Sequence, residues 1–429
     1  MRGNDALWRT GAAGPCYHPA PNPTSRERLL LPVSFDSDVV IVGGCGHVGL
    51  PLGISFADRG LRVALYDVNE SVVPMVNDGC MPFHEQGAIE MLRRALHRGL
   101  LRATSDQDVI SGGEHVVTVI GTPVDRHLNP HPQSVPLAIE DFGERLVDGQ
   151  LLVLRSTVYP GVTSLVEKLV SRLGVEVDVA FCPERIAEGK AMTELTELPQ
   201  IVSARSPRAL ARSATLFGHL TDHIIELAPE EAELAKLFTN VWRYIKFAAA
   251  NQLYIIANDF GIDFDRVRTA IVTDYPRAAD MPSAGLTAGP CLFKDAMSLA
   301  AFTNNNFTLG HASVMINEGM PLYIISRLEK QHRLEDMTVG ILGMAFKGES
   351  DDVRSSLSYK LKRILRYKAR RVLCADPYVR DDDDLVDQDM LLAESDLILI
   401  GAPHRRYAEL KPAVPVVDIA NLLGRGALV

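Results

Sequence analysis

The chain has 429 residues, 47% of them hydrophobic and 23% charged, which suits an ordinary globular protein of about three domains at roughly 150 residues each. No uninterrupted apolar stretch reaches the ~18 residues of a membrane-spanning helix, so we expect no membrane segment. The formal net charge of −10 disfavours general binding to nucleic acids or anionic membranes, although a local basic pocket for a phosphate is compatible with it.

The cysteines are scattered, without C-x-x-C or zinc-ligand spacing: Cys16, Cys45, Cys80, Cys182, Cys291 and Cys374. This pattern favours reduced thiols, a cytoplasmic location and no structural metal. Residues 1–36 are rich in Pro, Gly and Arg, and their one apolar cluster, 29–31, is too short for a secretory signal. We expect this segment to be a disordered or loosely docked extension of unassigned function.

Apolar strands and helical stretches then alternate along residues 37–215. Strands are predicted at 38–42, 62–66, 115–120, 151–154 and 175–181, and the first helix ends at the basic turn and glycine Arg59-Gly60. This alternation predicts a doubly wound parallel sheet.

A different pattern fills residues 216–330. The 32 residues from Pro229 to Phe260 contain no helix breaker and predict a helix of about 48 Å at ~1.5 Å per residue. Because that is too long for one small core, we expect it to span domains or to form a subunit interface.

Strand–helix alternation resumes in residues 331–429, with strands predicted at 338–342, 372–374, 396–400 and 414–419. The predicted fold class is therefore α/β, with two Rossmann-like doubly wound parallel-sheet domains joined by a helical middle domain that has one long central helix.

A G-x-G-x-x-G motif, Gly44-Cys45-Gly46-His47-Val48-Gly49, directly follows the first strand. In such motifs the first glycine makes a tight turn, the second admits a pyrophosphate and the third allows close helix packing. Asp67 ends the second strand, where a carboxylate binds ribose hydroxyls and repels a 2′-phosphate. The arrangement predicts an NAD site. Gly121-Thr122-Pro123 follows another strand and is either a part of that site or a simple turn.

Cys291-Leu292-Phe293-Lys294-Asp295 follows a loop with two glycines. If a helix begins here, Cys291 and Asp295 share a face, and a cysteine near a helix start and beside Lys294 would have a lowered pKa and act as a nucleophile. The alternative is a buried structural cysteine.

The long helix carries one stripe of residues spaced three or four apart: Lys236, Asn240, Arg243, Phe247 and Asn251. Lys236 and Asn240 could donate to one oxyanion, whereas the alternative is a solvated face. Glu184 and Glu188 lie just after a strand, either as base and substrate anchor or as an ordinary surface carboxylate pair.

Together these segments resemble the nucleotide-sugar 6-dehydrogenase family, also called the UDP-glucose/GDP-mannose dehydrogenase family, and most of all its UDP-glucose 6-dehydrogenase branch. Nine matching segments occur in the family's order: 44–51, 121–123, 156–161, 183–189, 233–240, 291–295, 343–347, 351–354 and 376–378.

The resemblance implies a four-electron oxidation of a sugar CH₂OH. Hydride passes to NAD⁺, Cys291 captures the aldehyde, a second NAD⁺ oxidises the thiohemiacetal, and water cleaves the thioester to a carboxylate. By the same resemblance Lys236 and Asn240 stabilise oxyanions, Asp295 with Thr122 orients a water, and Glu184 assists hydrolysis.

The resemblance also implies two sets of binding residues. Those for NAD are Gly44, Gly46, His47, Val48, Gly49, Asp67, Thr122, Thr157 and Arg354. Those for the nucleotide sugar are Glu184, Glu188, Lys236, Asn240, Arg277, Gly285, Gly289, Lys294, Phe346 and Lys347. The long helix would form a homodimer in which the partner subunit contributes an arginine, for which Arg277 is the candidate.

One segment departs from the family pattern, because Thr287-Ala288-Gly289-Pro290 replaces the usual glycine pair before the cysteine. Lys294-Asp295 favours UDP-glucose as the substrate, while a TDP-sugar or a UDP-N-acetylhexosamine stays open. The alternatives are a two-electron dehydrogenase of the 6-phosphogluconate type and a non-enzymatic redox sensor or scaffold that keeps an NAD fold.

Overall fold

The computed structural model describes residues 34–122, 131–287 and 289–429. The predicted extension therefore lies outside the described residues up to position 33, as do Pro123 and Ala288.

Eight strands form the first sheet, in the order β3-β2-β1-β4-β5-β6-β7-β8. They are β1 Ser37–Val42, β2 Val63–Tyr66, β3 Leu101–Thr104, β4 Gly113–Thr118, β5 Leu151–Leu154, β6 Asp178–Phe181, β7 Gln200–Ser203 and β8 Ile224–Leu227. Adjacent strands are parallel except β6 and β7, which meet antiparallel at Phe181 and Ser203. The predicted doubly wound sheet is confirmed, with three further strands, β3, β7 and β8.

Two predicted strand ends differ from the structure because side chains take over backbone hydrogen bonds. The chain leaves the sheet after β4, where the N–H of Ile120 donates to the side chain of Ser156, with 2.7 Å between N and Oγ. The chain before β6 is held outside the sheet by Asp148, whose carboxylate accepts from the N–H of Glu176 at 2.7 Å.

Helices cover both faces of this sheet: α1 Gly49–Asp58, α2 Val72–Asn77, α3 Ala88–His97, α4 Ser134–Phe142, α5 Val162–Val170, α6 Ala191–Glu197 and α7 Pro207–Gly218. Along β1, Val39 and Ile41 belong to one apolar core, whereas Val40 and Val42 belong to another. Burial on both faces explains why β1 is a continuous apolar run rather than an alternating one.

The middle of the chain is helical: α8 Pro229–Asp259, α9 Phe264–Val272, α10 Pro290–Phe302 and α11 Thr308–Gln331. The predicted long helix is confirmed as α8, with 31 residues. Both α10 and α11 pack against α8. The side of α8 away from these contacts exposes large apolar side chains at Phe238, Trp242, Leu253 and Ile256.

The second sheet has the order β10-β9-β11-β12 and is parallel throughout. Its elements are β9 Thr338–Leu342, α12 Leu357–Lys368, β10 Arg371–Ala375, α13 Gln388–Glu394, β11 Leu397–Ile400 and β12 Val416–Val417. Short 3₁₀ helices occur at Gln107–Gly112, Gly143–Arg145, Leu334–Asp336 and Arg405–Tyr407. The strand predicted at 414–419 is shorter because it is an edge strand beginning after Pro415. No helix in the described part of the chain is long and apolar enough to cross a bilayer.

Candidate active site

The predicted cofactor loop lies at the carboxyl edge of the first sheet, between β1 and α1. Its left-handed turn falls on Gly43 (φ 79°), one residue before the position assigned from the motif, and the N–H groups of Gly43 and Gly44 donate to the carbonyl of Tyr66. A Cβ on Gly49 would lie 2.4 Å from the carbonyl oxygen of Gly43, so close packing excludes any side chain there. A Cβ on Gly46 would meet nothing nearer than 3.8 Å, which leaves this part of the loop open to a ligand.

Asp67 stands directly after β2 beside the same loop. Its Oδ2 accepts from the N–H of Cys45 at 2.9 Å and its Oδ1 from the N–H of Asn69 at 3.0 Å. Open backbone at Gly46, a helix start and an adjacent carboxylate together fit a dinucleotide.

His47 links the cofactor loop to residues from later segments. Its ring stacks on Phe83 with 4.1 Å between centroids, and its Nε2 lies 3.9 Å from Glu188 Oε1. Burial, with the nearby charge of Arg354, lowers the pKa of His47. Arg354 pairs with Asp352 at 2.6 Å. Arg354 and Glu188 thus both lie near the cofactor loop, and Val48 precedes α1 as its N-cap.

Cys291 is the second residue of α10, and Gly289, with φ 107°, caps that helix. Cys291 as a whole residue is exposed to solvent, although protein atoms surround much of its sulfur. Burial by the surrounding protein and the Asp295 carboxylate nevertheless raise the pKa of Cys291, against the opposing charges of Lys294 and Lys236. The expected lowering is therefore wrong for this structure, since the two lysines do not outweigh desolvation and the neighbouring carboxylate.

Asp295 is fully buried at the contact between α10 and α8. Asn240 donates through Nδ2 to its Oδ2 at 2.6 Å, and Lys294 Nζ lies 3.5 Å from its Oδ1. Lys294 also donates to Thr122 Oγ1 at 2.9 Å, which in turn donates to the carbonyl of Thr157 at 2.9 Å. Two predicted site residues distant in sequence, Thr122 and Thr157, are thereby joined to the three on the helix pair, Asn240, Lys294 and Asp295.

A small cavity of about 20 Å³ adjoins this group, lined by Thr122, Thr157, Lys294, Asp295 and other residues. Among the described residues Asp295 Oδ1 has no hydrogen-bond partner. Since a site of ~10–15 Å³ or more with polar partners can hold a water, this cavity fits one water molecule next to Asp295.

Lys236 is buried, one turn before Asn240 on α8. Burial lowers the pKa of Lys236, although Asp295, Cys291 and Glu184 raise it. Asn251 is also buried and Phe247 is half-buried, whereas Arg243 is exposed. The predicted stripe is consequently a largely buried face of α8 and not a solvated one.

Neither Glu184 nor Glu188 is an ordinary surface carboxylate. Glu184 is buried after β6. Glu188 Oε1 accepts from Ser350 Oγ at 2.9 Å, and burial, with the nearby Asp352, raises the pKa of Glu188 to about 7. Lys347 Nζ donates to the Glu188 carbonyl. Burial lowers the pKa of Lys347.

The loop before Cys291 is held from two sides. The N–H of Gly285 donates to Asn251 Oδ1 at 2.9 Å. A Cβ on Gly289 would lie 2.7 Å from the ring of Phe346, so this backbone lies directly against that ring. The loop before Cys291, which precedes β9, and the segment with Phe346, which follows β9, therefore meet at the predicted substrate site.

Family models for the UDP-glucose/GDP-mannose dehydrogenase family match three parts of the chain: the NAD binding domain at residues 38–221, the central domain at 230–318 and the UDP binding domain at 340–425. The chain belongs to this family. It is an NAD-dependent nucleotide-sugar dehydrogenase, as the resemblance predicted.

Relatives within the family differ in the sugar that they oxidise. UDP-glucose 6-dehydrogenase AglM of Haloferax volcanii is 30% identical over 395 residues, covering 86% of this chain and 91% of the relative. UDP-N-acetyl-D-mannosamine dehydrogenase of Pyrococcus horikoshii is 29% identical over 381 residues, covering 86% and 90%. The structure of a UDP-glucose dehydrogenase from Pyrobaculum islandicum aligns with a TM-score of 0.83 at 28% identity, covering 91% of this chain and 95% of that one.

Arg277, a predicted substrate-binding residue, makes none of the site contacts described above. Arg277 is exposed, and its guanidinium lies 5.8 Å from the ring centroid of Tyr275. Its expected role in a partner subunit's site stays a prediction.

Three carboxylate or guanidinium groups in the dehydrogenase have roles that sequence reasoning missed or misplaced. Glu233 accepts from the N–H groups of Gly161 and Thr163 at the start of α5, a helix other than its own. Glu85 accepts from the N–H groups of Gly189 and Ala191, and nothing in the sequence pointed to it. Arg155 is fully buried and pairs with Glu184. Its signal was a charge directly after the apolar strand β5, since a buried charge requires a partner.

Proposed function

We propose that this dehydrogenase oxidises the C6 hydroxymethyl group of a UDP-hexose to a carboxylate through a covalent intermediate on Cys291. The observation that carries the proposal is the placement of Cys291, Lys236 and the Asn240–Asp295 pair at one contact between α8 and α10. A thiol, a buried ammonium and a buried carboxylate supply the nucleophile, the oxyanion partner and the water ligand that the oxidation needs.

Two hydrides leave the substrate carbon and one water enters, so each alcohol yields one carboxylate, two NADH and three protons. NAD⁺ accepts hydride when it is bound at the cofactor loop, where Gly46 and Asp67 would hold it. Cys291 adds to the aldehyde, and Lys236 stabilises the oxygen that becomes negative. Asp295 and Thr122 hold the water that cleaves the thioester, and the cavity beside Asp295 Oδ1 supports this role.

The carboxylates after β6 and the lysine after β9 would serve the substrate. Lys347, Glu188 and Phe346 lie where the loop before Cys291 meets the second sheet, which favours binding of the nucleotide sugar between the two sheets. Lys347 supplies positive charge for a diphosphate, despite the overall negative charge of the chain.

UDP-glucose is the proposed sugar, because Lys294-Asp295 follows the cysteine and because AglM and the Pyrobaculum islandicum enzyme are named for this substrate. UDP-N-acetylmannosamine is the second candidate, since the Pyrococcus horikoshii relative of nearly equal identity is named for that sugar. TDP-glucose is the third candidate substrate.

A homodimer through α8 belongs to the same proposal. Trp242 and Phe238 are more than half exposed on this helix, which is unusual for such large apolar side chains, and Ile256 is also half exposed. Trp242→Arg is expected to convert a dimer to a monomer in sedimentation experiments. Tyr367→Arg, at an exposed residue of α12, is the control and should leave the dimer intact. A cytoplasmic location stays a prediction from the cysteine pattern.

The test is a panel of UDP-glucose, UDP-N-acetylmannosamine, TDP-glucose and GDP-mannose with NAD⁺, in which both NADH and the acid product are quantified. We expect two NADH per acid and the highest kcat/KM with UDP-glucose. One NADH per product would favour the two-electron alternative, and no NADH with any nucleotide sugar would contradict the proposed chemistry.

A further inference from the structure

Glu184 has every acceptor position occupied. Its Oε2 accepts from Arg155 Nε at 3.0 Å and from Arg155 Nη2 at 2.5 Å. Its Oε1 accepts from the N–H of Arg185 at 2.6 Å and from that of Ile186 at 2.9 Å. Because an ionised carboxylate offers about four lone-pair sites, Glu184 has none left for a proton, a water or a further cation.

Arg155 donates to this carboxylate and to two further acceptors. Its side chain is fully buried; Nη1 donates to the Cys182 carbonyl at 3.1 Å, and Nη2 also donates to Gln200 Oε1 at 3.0 Å. The guanidinium also lies 4.6 Å from the ring centroid of Phe217. Arg155 therefore has a fixed place between the ends of β5, β6 and β7.

Lys236 is a buried cation on which the charge of Glu184 acts. Lys236 Nζ has no hydrogen-bond or ion-pair partner in residues 34–122, 131–287 and 289–429. The charged or titratable groups that face it are Asp295, Cys291 and Lys294 from α10, and Glu184 from the loop after β6. A carboxylate released from Arg155 would be free to approach this buried ammonium, on which its charge already acts.

We propose that Arg155 is a positioning residue that holds Glu184 away from Lys236, so that the Lys236 ammonium stays unpaired for the oxyanion that develops during oxidation. This role rests on the proposed function for its chemical purpose. An ammonium that is already paired would gain less from a new negative charge, which is why keeping it unpaired favours catalysis.

The test compares Arg155→Gln, Arg155→Lys and the double variant Arg155→Gln with Glu184→Gln. The rate of the first hydride transfer is measured as NADH in a single turnover, normalised to enzyme that binds NAD. We expect Arg155→Gln to lose ~100-fold, Arg155→Lys to lose less than ~5-fold, and the double variant to recover at least ~10-fold over Arg155→Gln. Recovery follows because the Glu184→Gln change removes the negative charge that could neutralise Lys236.

Arg212 offers a matched control. Arg212 Nη1 pairs with the buried Asp178 of β6 at 3.0 Å, away from Lys236 and Cys291. Arg212→Gln is expected to lower Tm without changing the single-turnover rate per NAD-binding site. Arg155→Gln with an unchanged rate, or a double variant no faster than Arg155→Gln, would overturn the positioning role.

A second measurement does not need turnover. Labelling of Cys291 by iodoacetamide reports how well Lys236 stabilises the thiolate, and the exposed Cys80 is the internal reference. Arg155→Gln is expected to slow labelling of Cys291 by ~3–10-fold and to leave Cys80 unchanged; equal slowing at both or at neither contradicts the inference. If the unaltered enzyme oxidised no nucleotide sugar, the proposed function would fail while this measurement still decided the role of Arg155.

Should Arg155→Gln fail to fold, labelling of Cys291 in Glu184→Gln decides the question. This change removes the anion that Arg155 holds, so Lys236 stays unpaired and Cys291 is expected to react with iodoacetamide at the unaltered rate or faster. Labelling that slows by more than ~3-fold would overturn the positioning role, because the Glu184 charge would then favour the thiolate instead of opposing it.

Discussion

Asn240 Nδ2 on α8 lies 2.6 Å from Asp295 Oδ2 on α10, although the two residues are 55 positions apart. This hydrogen bond fixes one oxygen of a buried carboxylate and leaves the other directed toward a water-sized cavity next to Thr122. The pair therefore aligns the helix that carries Cys291 with the helix that carries Lys236.

Asp295→Asn preserves the shape of this group and removes its charge. We expect the steady-state rate of acid formation to fall by ~10²–10³, as for the loss of one group that acts on developing charge, while NADH still forms in the first turnover. A covalent sugar adduct should accumulate on the enzyme and be visible by intact mass spectrometry.

Asp265→Asn is the control for that experiment, because Asp265 also accepts from an asparagine, Asn421, at 2.7 Å but lies on α9. Its activity should stay within ~2-fold. If Asp295→Asn formed acid at the unaltered rate, the water-binding role of Asp295 would be wrong.

Cys291→Ser replaces the proposed nucleophile by a much weaker one. Acid formation should fall by more than ~10³-fold because a serine hydroxyl at neutral pH is not ionised and has no base beside it comparable with a catalytic histidine. NAD binding, measured by calorimetry, should be unchanged. Cys80→Ser is the matched control at another exposed cysteine, and similar losses in both variants would count against a specific role for Cys291.

Glu188→Gln tests the carboxyl group whose pKa burial raises from 4.5 to about 7. A raised folded-state pKa stabilises the protein below pH 4.5, and this contribution is lost as the pH rises through about 7. Relative to the unaltered enzyme, Glu188→Gln should thus gain about 1–3 kcal/mol in unfolding free energy at pH 8 and little at pH 4.5.

Denaturant unfolding at several pH values measures this difference, with Glu409→Gln as the exposed control. A constant difference between Glu188→Gln and the unaltered enzyme across that range would mean that Glu188 does not titrate as described.

Asn251→Leu removes the acceptor that holds Gly285. Because Asn251 binds the N–H of Gly285 and also donates to Asn317 Oδ1 at 2.9 Å, its loss should loosen the predicted substrate loop. We expect KM for the nucleotide sugar to rise ~10-fold while KM for NAD⁺ changes less than ~2-fold.

Asn258→Leu provides the comparison, since Asn258 is also buried on α8 and donates to Tyr323 of α11 at 2.9 Å without touching that loop. It should destabilise the fold without separating the two KM values. Equal changes in both KM values for Asn251→Leu would reduce Asn251 to a structural role.

Local patterns were sufficient for much of the architecture. The apolar run of β1, the glycine motif and Asp67 lie within 31 residues of one another (37–67), so their relation depends on short-range geometry. The length of α8 followed from the absence of a breaker between Pro229 and Gly261. Short strands with polar or exposed residues, such as β3 and β8, were missed because their stability comes from neighbouring strands.

Charge balance and pairing needed the folded chain. The pKa of Cys291 depends on Asp295, Lys294, Lys236 and the amount of surrounding protein, which act against one another. Adjacent residues suggested a lowered value because Lys294 was visible in the motif, whereas desolvation was not. The contact of Glu233 with α5 was missed for the same reason, since the two meet only in three dimensions.

Residue order alone therefore predicted the α/β architecture, the cofactor loop and the long helix, because periodicity and turn chemistry act over a few residues. It also singled out Cys291 as the candidate nucleophile. The pairing of Arg155 with Glu184, the lack of a partner for Lys236 among the described residues and the water-sized space at Asp295 arose only when distant segments packed. Electrostatic energies depend on distance and on exclusion of water, and both are properties of the assembled fold.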